Sequence, residues 1–169
     1  QNNKHNTMKN FLLLAVILIT MTAHAQITKV YFQASGLTCS MCSNAINKAL
    51  KSLDFVDKVT ANFKDYSFEV SFKLPDNIDF DRMRRKVEDA GFFVSAFFAT
   101  INFNNLQISS GQPVKAGATT LLFVNSNPRL LNGEIRVKVL DKGFVSSKEY
   151  KNNAISPSLS RPGTYHVSL

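Results

Sequence analysis

The chain has 169 residues, of which 44% are hydrophobic and 19% charged, a balance that excludes a disordered or collagen-like polypeptide. Two cysteines exclude a disulfide-framework miniprotein, and 14 Phe with no Trp favour strand and core positions over a polar aromatic binding surface. The net charge of +8 is uneven, since residues 27–101 carry 10 basic and 9 acidic side chains and residues 102–169 carry 8 and 3.

The first element is a targeting signal. Met8-Lys9-Asn10 is a short basic start, Phe11 to Thr20 an apolar run, and Ala23-His24-Ala25 the small-x-small pattern of a signal-peptidase site. Residues 1–25 therefore read as a signal peptide with an upstream extension, and the protein as periplasmic or secreted. No later apolar run is long enough to cross a hydrocarbon core of roughly 30 Å, so no membrane span is expected after signal cleavage. Beyond residue 25 the single histidine is His166, which leaves little for histidine-based catalysis.

Val30, Phe32 and Ala34 alternate with Lys29, Tyr31 and Gln33, the period of a strand with one buried face, and Gly36 ends it. Ile46, Ala49, Leu50 and Leu53 make one stripe of an amphipathic helix beginning near Cys42. Val59, Ala61 and Phe63 give a second strand, Lys64-Asp65 a tight turn, and Tyr66, Phe68, Val70 and Phe72 a third, forming a hairpin. Phe80, Met83, Val87 and Ala90 form a second helical stripe, with Asn77 or Asp79 as N-cap and Gly91 as the stop. A fourth strand runs from about Phe93 to Phe103. Simple alternation puts Val94, Ala96 and Phe98 toward the helices, and Phe93 and Phe97 on the opposite face near Tyr31. Such an apolar patch would need the rest of the chain or a second subunit to cover it. The order β-α-β-β-α-β is that of a ferredoxin-like fold.

Gly36-Leu37-Thr38-Cys39-Ser40-Met41-Cys42 joins the first strand to the first helix. Two thiols three positions apart, on a loop entering a helix, can converge on one soft cation, and the positive helix end stabilises thiolates there. Thiolates favour Cu(I), whereas a closed tetrahedral zinc site needs more ligands than this loop holds.

This loop, the following helix and Glu88-Asp89-Ala90-Gly91-Phe92 together resemble the heavy-metal-associated (HMA) domain family across roughly residues 27–101. The resemblance implies a ferredoxin-like βαββαβ fold and binding of Cu(I) or a related soft ion through Cys39 and Cys42. It also implies that Leu37, in place of the family's usual Met, packs beneath the loop and that Phe92 stands beside the site. Thr38 before the first Cys is similar to copper- and mercury-handling members, and zinc-handling members typically have Asp there. Asp54-Phe55 stands where the family often has a glycine.

Other readings of the same residues stay open. The cysteines could form a simple disulfide in an oxidising compartment, or a thioredoxin-like redox pair, although the flanking Trp of such proteins is missing. Met41 reads as an exposed loop residue, and His166 as a surface or packing residue. Arg82, Arg84, Arg85 and Lys86 read as a solvated helix face balanced by Asp79, Asp81, Glu88 and Asp89, so nucleic acid is not an expected partner.

The second half reads as short strands at Leu106 to Ser109, Thr119 to Asn125, Glu134 to Leu140, Phe144 to Tyr150 and Thr164 to Leu169. Turn-rich segments separate them, including Ser110-Gly111-Gln112-Pro113 and Asn132-Gly133. The expected class is therefore α+β: an HMA-like domain over 26–103 and a separate small all-β module, sandwich or barrel, over 104–169. The expected function is binding of a soft metal, Cu(I) first and Hg(II) or Zn(II) as alternatives, in trafficking or sequestration by thiolate exchange. The expected partner is a metal-donor or acceptor protein in the envelope, a homo-oligomer is a further candidate, and no enzyme activity is expected. The competing functions are a periplasmic mercury scavenger and a thiol-disulfide redox protein.

Overall fold

Strand β1, Ala25–Ser35, is the centre of the HMA-like half of the molecule, with Ile27, Val30, Phe32 and Ala34 all buried on one face. The structure is a computed structural model and describes residues 25–37, 40–153 and 161–169. The expected signal peptide lies outside the described residues except for Ala25, which is buried and pairs with Phe103.

Helix α1, Ser40–Lys51, buries Ile46 and Leu50, and Leu53 just beyond its end continues the stripe. Asn47 Nδ2 donates to Val59 O at 3.2 Å and ties α1 to strand β2, Val56–Asn62. Strand β3, Ser67–Phe72, pairs antiparallel with both β2 and β1. The expected Phe63 and Tyr66 strand positions belong instead to the β2–β3 turn. Phe63 is exposed, and Tyr66 takes a positive φ of 52°. Asp65 closes that turn by accepting from Ser67 Oγ at 2.7 Å and Tyr31 Oη at 3.2 Å, and these bonds, that of Ser67 foremost, lower its pKa.

Helix α2, Phe80–Asp89, buries Phe80, Met83 and Val87, and Asp79 is its N-cap, accepting from Arg82 N at 2.9 Å. Gly91 N returns to Glu88 O at 2.8 Å and ends it. Strand β4, Phe93–Ile108, follows. The order β2-β3-β1-β4, with α1 and α2 packed on the buried face, is the ferredoxin-like arrangement that the periodicities predict.

Two expectations fail in β4. A bulge between the Gln33↔Ala96 and Ala34↔Val94 pairs leaves Ser95 as an extra residue, so the alternation changes phase. Phe97, Ala99, Ile101 and Phe103 consequently join Val94 in the core. Phe98, rather than Phe97, sits on the opposite face, its ring centroid 6.0 Å from that of Tyr31.

The separate 104–169 module is the second correction. β4 runs through the expected 103/104 boundary, and strand β7, Arg129–Val139, pairs with it from Phe98 to Ile108. Strands β5, Pro113–Ala116, β6, Thr119–Phe123, and β8, Thr164–Ser168, extend the same sheet to eight strands in the order β2-β3-β1-β4-β7-β8-β6-β5. Asn105 and Gly133, with φ of 47° and 78°, supply the bulge in the β4–β7 ladder, so Asn132-Gly133 lies inside a strand rather than in a turn. The expected strand at Phe144–Tyr150 is instead a buried Phe144-Val145 pair followed by helix α3, Ser147–Asn152, capped by Ser146. Ser and Glu at a helix start satisfy free N–H groups, a signal that outweighed the strand-like run.

Both halves share one core. Phe97 meets Phe80 at 5.0 Å and Phe144 at 5.1 Å between centroids, and Tyr165 meets Phe80 at 5.0 Å and Phe144 at 5.4 Å. The β5–β6 hairpin closes on the turn before α2: Ala118 N donates to Asp76 O at 2.9 Å and Thr119 Oγ1 to Ile78 O at 3.1 Å. Gly117 is required there, because a Cβ would lie 2.9 Å from Asp76 Cα.

Candidate metal-binding site

The sequence places the site where β1 hands over to α1. Gly36 takes a φ of 88°, a turn that L side chains rarely adopt, and it lets the chain leave the sheet and re-enter as a helix. Leu37, directly after it, is buried in the core. Phe92 is partly buried, with its Cδ1 3.8 Å from where a Cβ on Gly36 would stand. It therefore packs beside Gly36.

Thr38 and Cys39 lie outside the described residues. Cys42 lies in the first turns of α1, partly buried and packed against the core. The helix has no acidic residue in its first turn and has Lys48 and Lys51 in its last. The N-terminal end of a helix carries partial positive charge, which in general favours a thiolate placed there. Ser43, next to Cys42, is buried with its hydroxyl unbonded among the described residues. Met41 is 80% exposed, but it lies in the first turn of α1 rather than in a loop.

Sequence reasoning missed the surroundings of the loop. Ala34 N donates to Tyr66 O at 3.1 Å, and Ser35 pairs with Phe93, so the β2–β3 turn and the start of β4 flank the exit of β1. Phe63 of that turn is 58% exposed and Phe93, at the start of β4, 65%. The turn that exposes Phe63 leaves no mark in simple alternation.

Among the described residues no group of three or more His, Cys, Asp and Glu side chains gathers that could hold a metal. His166 is buried on β8, where its Nδ1 lies 2.8 Å from Asp141 Oδ1 and its backbone N donates to Asp141 Oδ2 at 2.7 Å. It is a packing residue that fastens β8 to the end of β7. Of the α2 arginines, Arg82 pairs with Asp54 at 3.0 Å and Arg84 with Glu88 at 2.7 Å.

Comparison with known proteins places this geometry. The heavy-metal-associated domain model matches residues 31–93. The matched stretch covers less than half of the chain and runs from within β1 to the start of β4, with the cysteine loop inside it. A probable copper-transporting ATPase, HMA5 of Arabidopsis thaliana, is 29% identical over 82 residues, 48% of this chain and 8% of that protein. The match thus spans a small fraction of the length of this curated relative. Among solved structures, the CopZ metallochaperone is 22% identical, covering 40% of this chain and 98% of its own, with a TM-score of 0.38. The yeast copper transporter domain Ccc2a is 29% identical, covering 38% and 88%, with a TM-score of 0.35.

Proposed function

We propose that the protein binds a single soft metal ion, Cu(I) first, through Cys39 and Cys42, and serves copper trafficking or sequestration in the periplasm or outside the cell. The observation that carries this reading is the location of the Cys39-x-x-Cys42 loop within the matched HMA segment, between the buried Leu37 anchor and the positive end of α1. The similarity to a probable copper-transporting ATPase supports copper as the first ion to test.

Transfer then needs only ligand exchange. A sulfur ligand on a donor or acceptor protein joins the ion before Cys39 or Cys42 leaves, and no bond in an organic substrate is made or broken, so the protein is not an enzyme in this reading. In the envelope, oxidation to a Cys39–Cys42 disulfide would remove both ligands, so metal must arrive first or a reductant must act.

The deciding experiment is anaerobic titration of the reduced chain with Cu(I) against a chromogenic chelator. One equivalent should bind tightly, and the double change Cys39→Ser, Cys42→Ser should abolish binding with the fold retained by circular dichroism. Tight binding that survives the double change would refute the site.

A further inference from the structure

Helix α1 turns one stripe into the core, and Ser43 belongs to it. Ser43, Ile46 and Leu50 stand at i, i+3 and i+7, and all three are buried. Two of them are apolar, as a core stripe requires. Ser43 is only 1% exposed, yet its Oγ is shielded without a hydrogen-bond partner among the described residues. A serine inside a helix commonly satisfies itself on a carbonyl three or four residues back, and Ser43 makes no such bond to Ser40. A buried hydroxyl left unbonded weakens the fold, and an alanine would fill the same space without that cost.

The direction of the side chain follows from helix geometry. Cα–Cβ bonds in a helix tilt toward its N-terminus, so a side chain covers the turn that precedes its own Cα. For Ser43 that is the first turn of α1, which begins at Ser40, and the residue four positions before Ser43 is Cys39. Cys42 is adjacent in sequence, but successive side chains diverge by about 100° around a helix, so it is the less suited partner. The first turn also holds no carboxylate that would compete for the hydroxyl.

We propose that Ser43 is a positioning residue of the metal site, its hydroxyl donating to the Cys39 sulfur when that sulfur is a metal-bound thiolate. The inference rests on the metal-binding reading and adds a group to it. A hydrogen bond from a neutral donor to a charged sulfur is stronger than one between neutral groups, and it orients the ligand toward the ion. Because the bond is made to the ligating thiolate, it stabilises the loaded chain and contributes nothing to the metal-free fold.

The test compares the reduced full chain with Ser43→Ala by anaerobic Cu(I) competition against a chromogenic chelator, and by urea unfolding without metal. Ser43→Ala should lower Cu(I) affinity about tenfold at one ion per chain, while its metal-free unfolding midpoint stays the same or rises. The thiolate-to-copper ultraviolet band should move to longer wavelength, because a sulfur relieved of a hydrogen bond gives up charge more readily. In a Cys39→Ser background the same change should leave the residual Cu(I) affinity as it was. Equal affinities and superimposable bands for the two chains would overturn the inference with the metal reading intact. So would a metal-free loss of stability in Ser43→Ala, the mark of a purely structural residue, or a tenfold effect that persists in the Cys39→Ser background. Failure of the unaltered chain to bind Cu(I) would overturn the metal reading itself, and this inference with it.

Discussion

Tyr165 and Asp81, 84 residues apart in sequence, hold each other twice: the tyrosine hydroxyl donates to Asp81 Oδ2 at 3.0 Å and accepts from Asp81 N at 3.1 Å. One phenol thereby secures strand β8 to the first turn of α2. Burial, and after it the adjacent Asp81 charge, push the tyrosine pKa well above its ordinary value.

A raised folded-state pKa stabilises the protein fully below the unfolded value and loses that contribution as pH rises beyond it. With an unfolded tyrosine titrating near about 10, stability should fall above that pH by roughly 1.4 kcal/mol per unit on account of Tyr165. Tyr165→Phe should cost about 1–2 kcal/mol at pH 7 and should flatten this alkaline loss. Urea unfolding of both chains from pH 7 to 11.5 reads the difference, and parallel curves would show that Tyr165 does not carry it.

The shared aromatic core makes a second prediction. Residues 26–103 alone would leave Phe80 and Phe97 without Phe144 and Tyr165, and Phe103 without Phe123. That fragment should therefore unfold non-cooperatively or self-associate, and Phe144→Ala in the full chain should cost about 3–5 kcal/mol. Thermal unfolding with sedimentation analysis checks both, and a monomeric fragment as stable as the full chain would contradict the common core.

The Asp141 carboxylate offers a third. It accepts from both the ring and the backbone of His166, which is 2% exposed, so Asp141→Ala strands two buried polar groups. The loss should be about 2–3 kcal/mol, while Asp141→Asn should keep part of it because its amide oxygen can still accept from the backbone N–H. Equal losses for the two changes, measured by urea unfolding, would place the clamp elsewhere.

Much of the HMA-like half was legible because period-two and helical stripes act directly on burial: Val30, Phe32, Ile46, Leu50, Phe80, Met83 and Val87 are all core residues. Leu37 and Phe92 were singled out through resemblance rather than periodicity. The failures share one cause. Ser95, Asn105 and Gly133 each mark an irregularity that shifts a strand's phase or bends it, and a local alternation count takes such residues for a face change or a loop. Asn104-Asn105 and Asn132-Gly133 therefore read as breaks when they are one bulge in a continuous ladder. That misreading turned one sheet into two modules.

The last prediction concerns ion choice. Cu(I) accepts two soft sulfur ligands, whereas Zn(II) is bound stably by four, and among the described residues no cluster of His, Cys, Asp and Glu stands ready to complete such a set. The uncompensated positive end of α1 favours thiolates for either ion, so charge does not discriminate between them, and coordination number does. Reduced protein should therefore bind one Cu(I) per chain and take Zn(II) only weakly, with water or a second chain filling its remaining positions. Cys39→Ser or Cys42→Ser alone should lower Cu(I) affinity at least about a hundredfold, near 2.7 kcal/mol. Paired competition titrations under anaerobic conditions, with chelators chosen for each ion, measure the ratio directly. Comparable affinities for Cu(I) and Zn(II) at one ion per chain would mean that further ligands reach the loop, and the two-thiolate site would have to be redrawn.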